Sequence, residues 1–149
     1  MAEVEVEGES VTVAAVEGST TSITLALPFE VSSVWHARRR LAMDLRMIGV
    51  PSDQVDDAVL VLSELVGNAL RHARPLPPGM VQVGWLVQDR EVELSVTDGG
   101  GPTHPRTLNL PVSALGGRGL AIVSDLSRTW GVRRSERGTT VYAVVALGD

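Results

Sequence analysis

The chain has 149 residues, 44% of them hydrophobic and only 3% aromatic, with no cysteine and a net charge of −5. One domain with an aliphatic core fits these numbers; disulfides, thiol catalysis and a basic nucleic-acid footprint do not. All 13 basic residues are arginine, and Glu3, Glu5, Glu7, Glu9 and Glu17 account for the net charge, because acids and bases balance over the rest of the chain.

Residues 1 to 20 alternate Glu with Val and then turn Gly/Ser/Thr-rich. The alternation is compatible with a strand, but the scarcity of flanking apolar residues favours an acidic mobile tail, with the folded domain spanning 21–149. SITLALP reads as a strand closed by Pro28. Val34, Trp35, Leu41, Leu45 and Ile48 recur at helical spacing. Ser32 or Ser33 is a candidate N-cap, and Gly49 followed by Pro51 is a stop signal. The cluster Arg38, Arg39 and Arg40 fits a solvated helix face. A second helix runs from Ser52 to about Ala73, its apolar stripe including Val55, Val59, Leu62, Val66 and Leu70.

MVQVGWLVQ and EVELSVTD alternate as strands do, and the short gap at Asp89 and Arg90 marks an antiparallel hairpin. A long irregular stretch from DGGGPTHP to GGRG follows. LAIVSDLS then reads as a helix, and TWGVRR and TTVYAVVAL as a final antiparallel pair. The order predicts an α+β, two-layer sandwich with helices on one face of a mixed, mainly antiparallel sheet. No apolar run approaches the roughly 18 residues of a membrane span, the N-terminus lacks the form of a signal peptide, and a cytoplasmic location agrees with both.

Three short stretches carry chemistry. In LSELVGNALRHA, Glu64, Asn68 and Arg71/His72 share one side of the helix, away from Leu62, Val66 and Leu70. A glutamate can take a proton and an asparagine oxygen suits a hard cation, although a solvated polar face gives the same pattern. In VTDGGGP a carboxylate, Asp98, closes a strand ahead of three glycines. That suits close approach of a flat ligand with an exocyclic amine, or simply a glycine-rich turn. In GGRGLAIV, glycines precede a helix, whose N-terminal N–H groups attract phosphate; a flexible loop is the other reading. The spacing is neither GxGxxG after a strand nor a P-loop.

Together and in this order, LSELVGNALRHA, VTDGGG, GGRGLAIV, RTWGV and a final GTT strand resemble the Bergerat-type ATP-binding fold of gyrase, sensor histidine kinases and a heat-shock chaperone family. More narrowly, residues 22 to 147 resemble the small stand-alone bacterial histidine-kinase-like ATPases, including the anti-sigma-factor serine kinases. The resemblance implies ATP and Mg²⁺ as ligands. Asn68 would hold Mg²⁺ against the triphosphate, and Glu64 would be the base for an attacking serine or threonine hydroxyl. Asp98 would recognise the adenine amine with Gly100 beside the base, and Thr139 would support that end. Gly117, Arg118 and Gly119, with Leu120 behind them, would meet the phosphates, and residues 102 to 115 would form a lid. His72 matches a family position better suited to packing or lid anchoring than to proton transfer.

Pro102 departs from the family's D-x-G-x-G box and removes an N–H from the lid's root. His36, the only helical histidine outside the nucleotide motif, lacks the flanks of a phospho-accepting box. The implied function is a serine/threonine kinase of a small regulatory partner such as an anti-sigma antagonist, or a protein that sequesters a sigma factor in a transcriptional circuit. A nucleotide-responsive binding module without turnover is the alternative, and a scaffold with a decayed site is a third. Pairing as a homodimer is compatible with the resemblance; direct nucleic-acid or membrane binding is not expected.

Overall fold

The computed structural model describes residues 2–6, 9–15, 21–101 and 118–148, with 2–6, 9–15, Thr21 and Arg118 described by backbone alone. The strands are β1 (Ala2–Val6), β2 (Glu9–Ala15), β3 (Thr21–Pro28), β4 (Met80–Gln88), β5 (Glu91–Asp98), β6 (Thr129–Ser135) and β7 (Gly138–Ala146). The helices are α1 (Ser32–Met47), α2 (Ser52–His72) and α3 (Arg118–Leu126). The sheet order is β1-β2-β3-β4-β5-β7-β6, and every described pair is antiparallel. The expected two-layer α+β sandwich is therefore what forms.

Period-two patterning sets the layers. Ile23, Leu25 and Leu27 of β3, Val81, Val83 and Trp85 of β4, and Val92, Leu94 and Val96 of β5 are buried under the helices. Their alternate neighbours face away. From α2, Val55, Ala58, Val61, Leu62, Leu65, Val66 and Ala69 enter the same core. Truncating one such leucine to alanine costs about 2–5 kcal/mol. The hairpin turn between β4 and β5 has positive φ at both Asp89 and Arg90, as a two-residue type I′ turn requires.

On α1 the buried face is Ser33, Ala37, Leu41 and Leu45, so the predicted stripe needs correction: Trp35 and Ile48 are exposed. Neither candidate serine caps this helix through its side chain. Ser33 is fully buried, and its Oγ donates instead to the Pro28 carbonyl, which ties α1 to the end of β3. The stop signal acts as expected. Gly49 has φ +84°, its N–H donates to Arg46 O, and Val50 N–H donates to Leu45 O, a Schellman closure. Asp44 locks α1 onto the sheet, accepting from the buried Trp85 indole N–H at 3.0 Å and from Arg40 Nε at 3.3 Å.

Strands also form within the stretch expected as an acidic tail. Residues 2–6 and 9–15 are strands, with β2 paired to β3 from Ser10↔Ala26 to Ala15↔Thr21. Glu/Val alternation has the strand period, and the outer edge of β3 offers a row of backbone donors and acceptors that another strand can satisfy.

Candidate functional site

The three motifs converge on the helix side of β5 and β7, along α2. Asp98 ends β5 on the buried face and is only 4% exposed. Its Oδ1 accepts the Gly100 N–H at 2.7 Å. Burial pushes the carboxyl above its ordinary value of 3.8, and the Gly100 N–H offsets part of that rise. Across the sheet, Thr139 is the register partner of Asp98. A β-carbon placed on Gly100 would lie 3.6 Å from Thr139 Oγ1, and Gly100 sits at φ +85°, which favours glycine. Asp98, Gly100 and Thr139 are thus one cluster, as the family resemblance implies.

The two neighbouring glycines have a different reason. A β-carbon on Gly99 would collide with the Pro75 carbonyl, and one on Gly101 would sit 2.8 Å from the His72 carbonyl. Gly99 N–H donates to Arg74 O at 2.8 Å and Arg74 N–H to Gly100 O at 2.7 Å. The glycine run is therefore stitched to the chain leaving α2. His72 takes part through its backbone, while its side chain is exposed. Beside this cluster lies a cleft of about 330 Å³ lined by Gly99–Gly101, Thr139, Arg74 and Arg134, among others.

A second contact lies further back on α2. A β-carbon on Gly119 would come 2.6 Å from Glu64 Oε2 and 3.8 Å from Arg71 Nη2. The Glu64 carboxylate is thus seated on the first turn of α3, where helix N–H groups lack intrahelical acceptors. Arg71 Nη1 lies 3.2 Å from a β-carbon position on Gly67, so the guanidinium folds back over that glycine toward Gly119. Sequence reasoning placed Arg71 on the polar stripe without giving it a task. Its signal was position: three residues after Asn68 and seven after Glu64, on the same side.

Asn68, half-buried, stands one turn from Glu64 and one from His72. At 1.5 Å per residue the Glu64 and His72 contacts lie about 12 Å apart along α2, with Asn68 about midway. Leu120, in the first turn of α3, is buried at 4% exposure. Gly117, the Arg118 side chain, Pro102 and the rest of the 102 to 115 lid lie outside what the structure describes. Among the described residues no group of three or more His, Asp or Glu side chains could hold a metal ion.

The order of these parts along the chain is that of a known domain. The family model of the histidine kinase-like ATPase domain matches residues 27–145. The chain belongs to this family. Its domain type is an ATP-binding one, and the match spans every element from the end of β3 to β7. Comparison with curated proteins returned no match. No helix among the described residues is long and apolar enough to cross a membrane.

Proposed function

We propose that this chain is an ATP-dependent serine/threonine protein kinase of the anti-sigma-factor type, acting in the cytoplasm on a small regulatory protein partner. The observation that carries the reading is the seat of Glu64: a carboxylate held against the first turn of α3, one helical turn from Asn68. Adenine recognition alone has no use for that carboxylate, whereas transfer to a hydroxyl needs a base beside the phosphate end.

In this reading Asp98 accepts from the exocyclic amine of the base, with Gly100 and Thr139 against the ring. The N–H groups at the start of α3, with Arg71 and Arg118, take phosphate oxygens. The carbonyl oxygen of Asn68 contributes one ligand to Mg²⁺, which neutralises charge developing on the phosphates when bound. Glu64 receives the hydroxyl proton of the partner's serine or threonine. The donor set fits the ligands: an acceptor-only group at the base end, donors at the phosphate end, and one hard oxygen between.

A second reading, a module whose grip on a sigma factor or other protein changes with bound nucleotide, has support in Pro102. That residue follows Gly101, where a β-carbon would already crowd the His72 carbonyl, and it offers no N–H to a ligand. The discriminating experiment is transfer of labelled phosphate from MgATP to a co-purified partner by wild type and by Glu64→Ala. Transfer lost in the variant with ATP binding retained supports the kinase; tight binding without transfer by the wild type selects the module.

A further inference from the structure

The helices cover one face of the sheet, and the other face has no second layer among the described residues. Near β6 this open face is closed over by its own side chains. The Tyr142 ring lies across Gly131, where a β-carbon would come 2.8 Å from the phenol oxygen. Arg133 stacks over that ring at 4.0 Å and pairs with Glu93 at 3.1 Å. Toward β3 and β4 the side chains shrink to Thr24, Ala26 and Gly84, and a concavity of about 640 Å³ opens. Ala26 and Gln82, cross-strand partners, form its floor, and Leu76, Pro77, Pro78 and Met80 its wall. Arg137, from the turn between β6 and β7, is the one charged side chain lining it among the described residues.

We propose that this groove docks an extended segment of a partner protein in which a leucine-, isoleucine- or methionine-like side chain lies next to an aspartate or glutamate. The apolar wall takes the aliphatic group, removing it from water. Arg137 supplies a planar, permanently charged fork for the carboxylate, and the Gln82 amide can pair with the segment's backbone. Pro77 and Pro78 fix their own φ, so the wall is stiff and loses little freedom on binding. The shape selects a chain over a small molecule. Small ligands bind in enclosures that bury most of their surface, whereas this groove is open and its floor continues onto Thr24 and Gly84, low enough for an extended backbone to pass. Arg137 also lines the cleft beside Gly99–Gly101, so a docked segment would lie next to the Asp98 cluster, but the docking itself requires no nucleotide.

The test is selection of phage-displayed random heptapeptides on the immobilised full chain without nucleotide, with counter-selection on Ala26→Glu. Peptides carrying Asp or Glu within two residues of Leu, Ile or Met are expected to be enriched. A synthetic peptide of the leading sequence is expected to bind Ala26→Glu at least tenfold more weakly than wild type. Arg137→Gln is expected to weaken it about threefold to fivefold, as an exposed charge pair contributes modestly. Gln82→Glu, on the neighbouring strand, repeats the floor test independently of Ala26, and thermal unfolding verifies that each variant is folded. No enrichment, equal binding to the floor variants, or enriched peptides without acids and indifferent to Arg137→Gln would each overturn the proposal. Because no ATP is present, these outcomes are separate from the fate of the nucleotide reading.

Discussion

Replacing Asp98 by asparagine changes one atom at the most buried polar position of the site. The carbonyl oxygen of the new amide would keep the 2.7 Å bond from Gly100 N–H, since that donor needs an acceptor. Its NH₂ group would then face outward, donor against the donor amine of an adenine. A hydrogen bond to a charged group contributes about 1.5–3 kcal/mol, so MgATP affinity is expected to fall roughly 10- to 150-fold. Stability should not fall with it. Burial holds the wild-type carboxyl above its ordinary pKa, so the folded protein binds that proton more tightly than the unfolded chain does. The resulting stabilisation is complete below 3.8 and is lost as pH rises through the folded value. At neutral pH the ionised side chain is therefore a cost that asparagine removes. Nucleotide affinity has the opposite dependence: the ionised form is the stronger acceptor for the amine and has no O–H to oppose it, so wild-type affinity should drop as pH falls through the raised pKa, and the variant should lack that response. Calorimetric titration with MgATP across pH, beside thermal unfolding, measures both. A folded Asp98→Asn protein with wild-type affinity would refute the assignment of Asp98 to the base.

Other expectations follow from the same geometry. Gly119→Ala puts a methyl 2.6 Å from Glu64 Oε2, where ordinary contact begins near 3.4 Å, so the carboxylate must retreat by about 0.8 Å. Phosphate transfer should then fall up to about 100-fold, with thermal unfolding verifying that the variant is folded; unchanged transfer would remove Glu64 from the role of base. Asn68→Ala should abolish the Mg²⁺ dependence of ATP affinity, measured by titration with and without the metal, and a persisting dependence would point to another ligand. Asp44→Ala strips the partner from the Trp85 indole, 3% exposed, at a cost of about 1–3 kcal/mol, read as a lower melting temperature with ATP affinity unchanged.

Much of the fold was legible because β5 alternates without a break, β4 alternates over its first half, and α2 carries a continuous apolar stripe. Residues 80–88 and 91–98 match the predicted segments to the residue. On α1 a second apolar row, through Trp35, imitates a core stripe; helical period alone does not say which row meets the sheet. Ser32 and Ser33 have N-cap chemistry, but the buried Ser33 finds the Pro28 carbonyl, a partner only tertiary structure can supply. For β1 and β2 the strand period was visible in Glu/Val alternation, yet pairing depends on the free edge of β3, which no local window contains. In the site, Asp98, Gly100 and Thr139 lie together, a grouping that only the family resemblance implied. Gly99 and Gly101 were read as room for a ligand, and the structure uses that room for the chain leaving α2. Arg71 was visible on the polar stripe but its task was not, because it depends on the missing β-carbons of Gly67 and Gly119, which belong to two different helices.

The most direct measurement is a titration of the isotopically labelled full chain with MgATP, followed through backbone amide resonances. Expected are concerted shifts at Gly100 and Thr139, at Asn68 midway along the α2 stripe, and at Gly119 and Leu120 in the first turn of α3, saturating with one nucleotide per chain. Absence of binding, or shifts confined to the open face of the sheet around Ala26 and Gln82, would contradict a nucleotide seat between α2, the end of β5 and the start of α3.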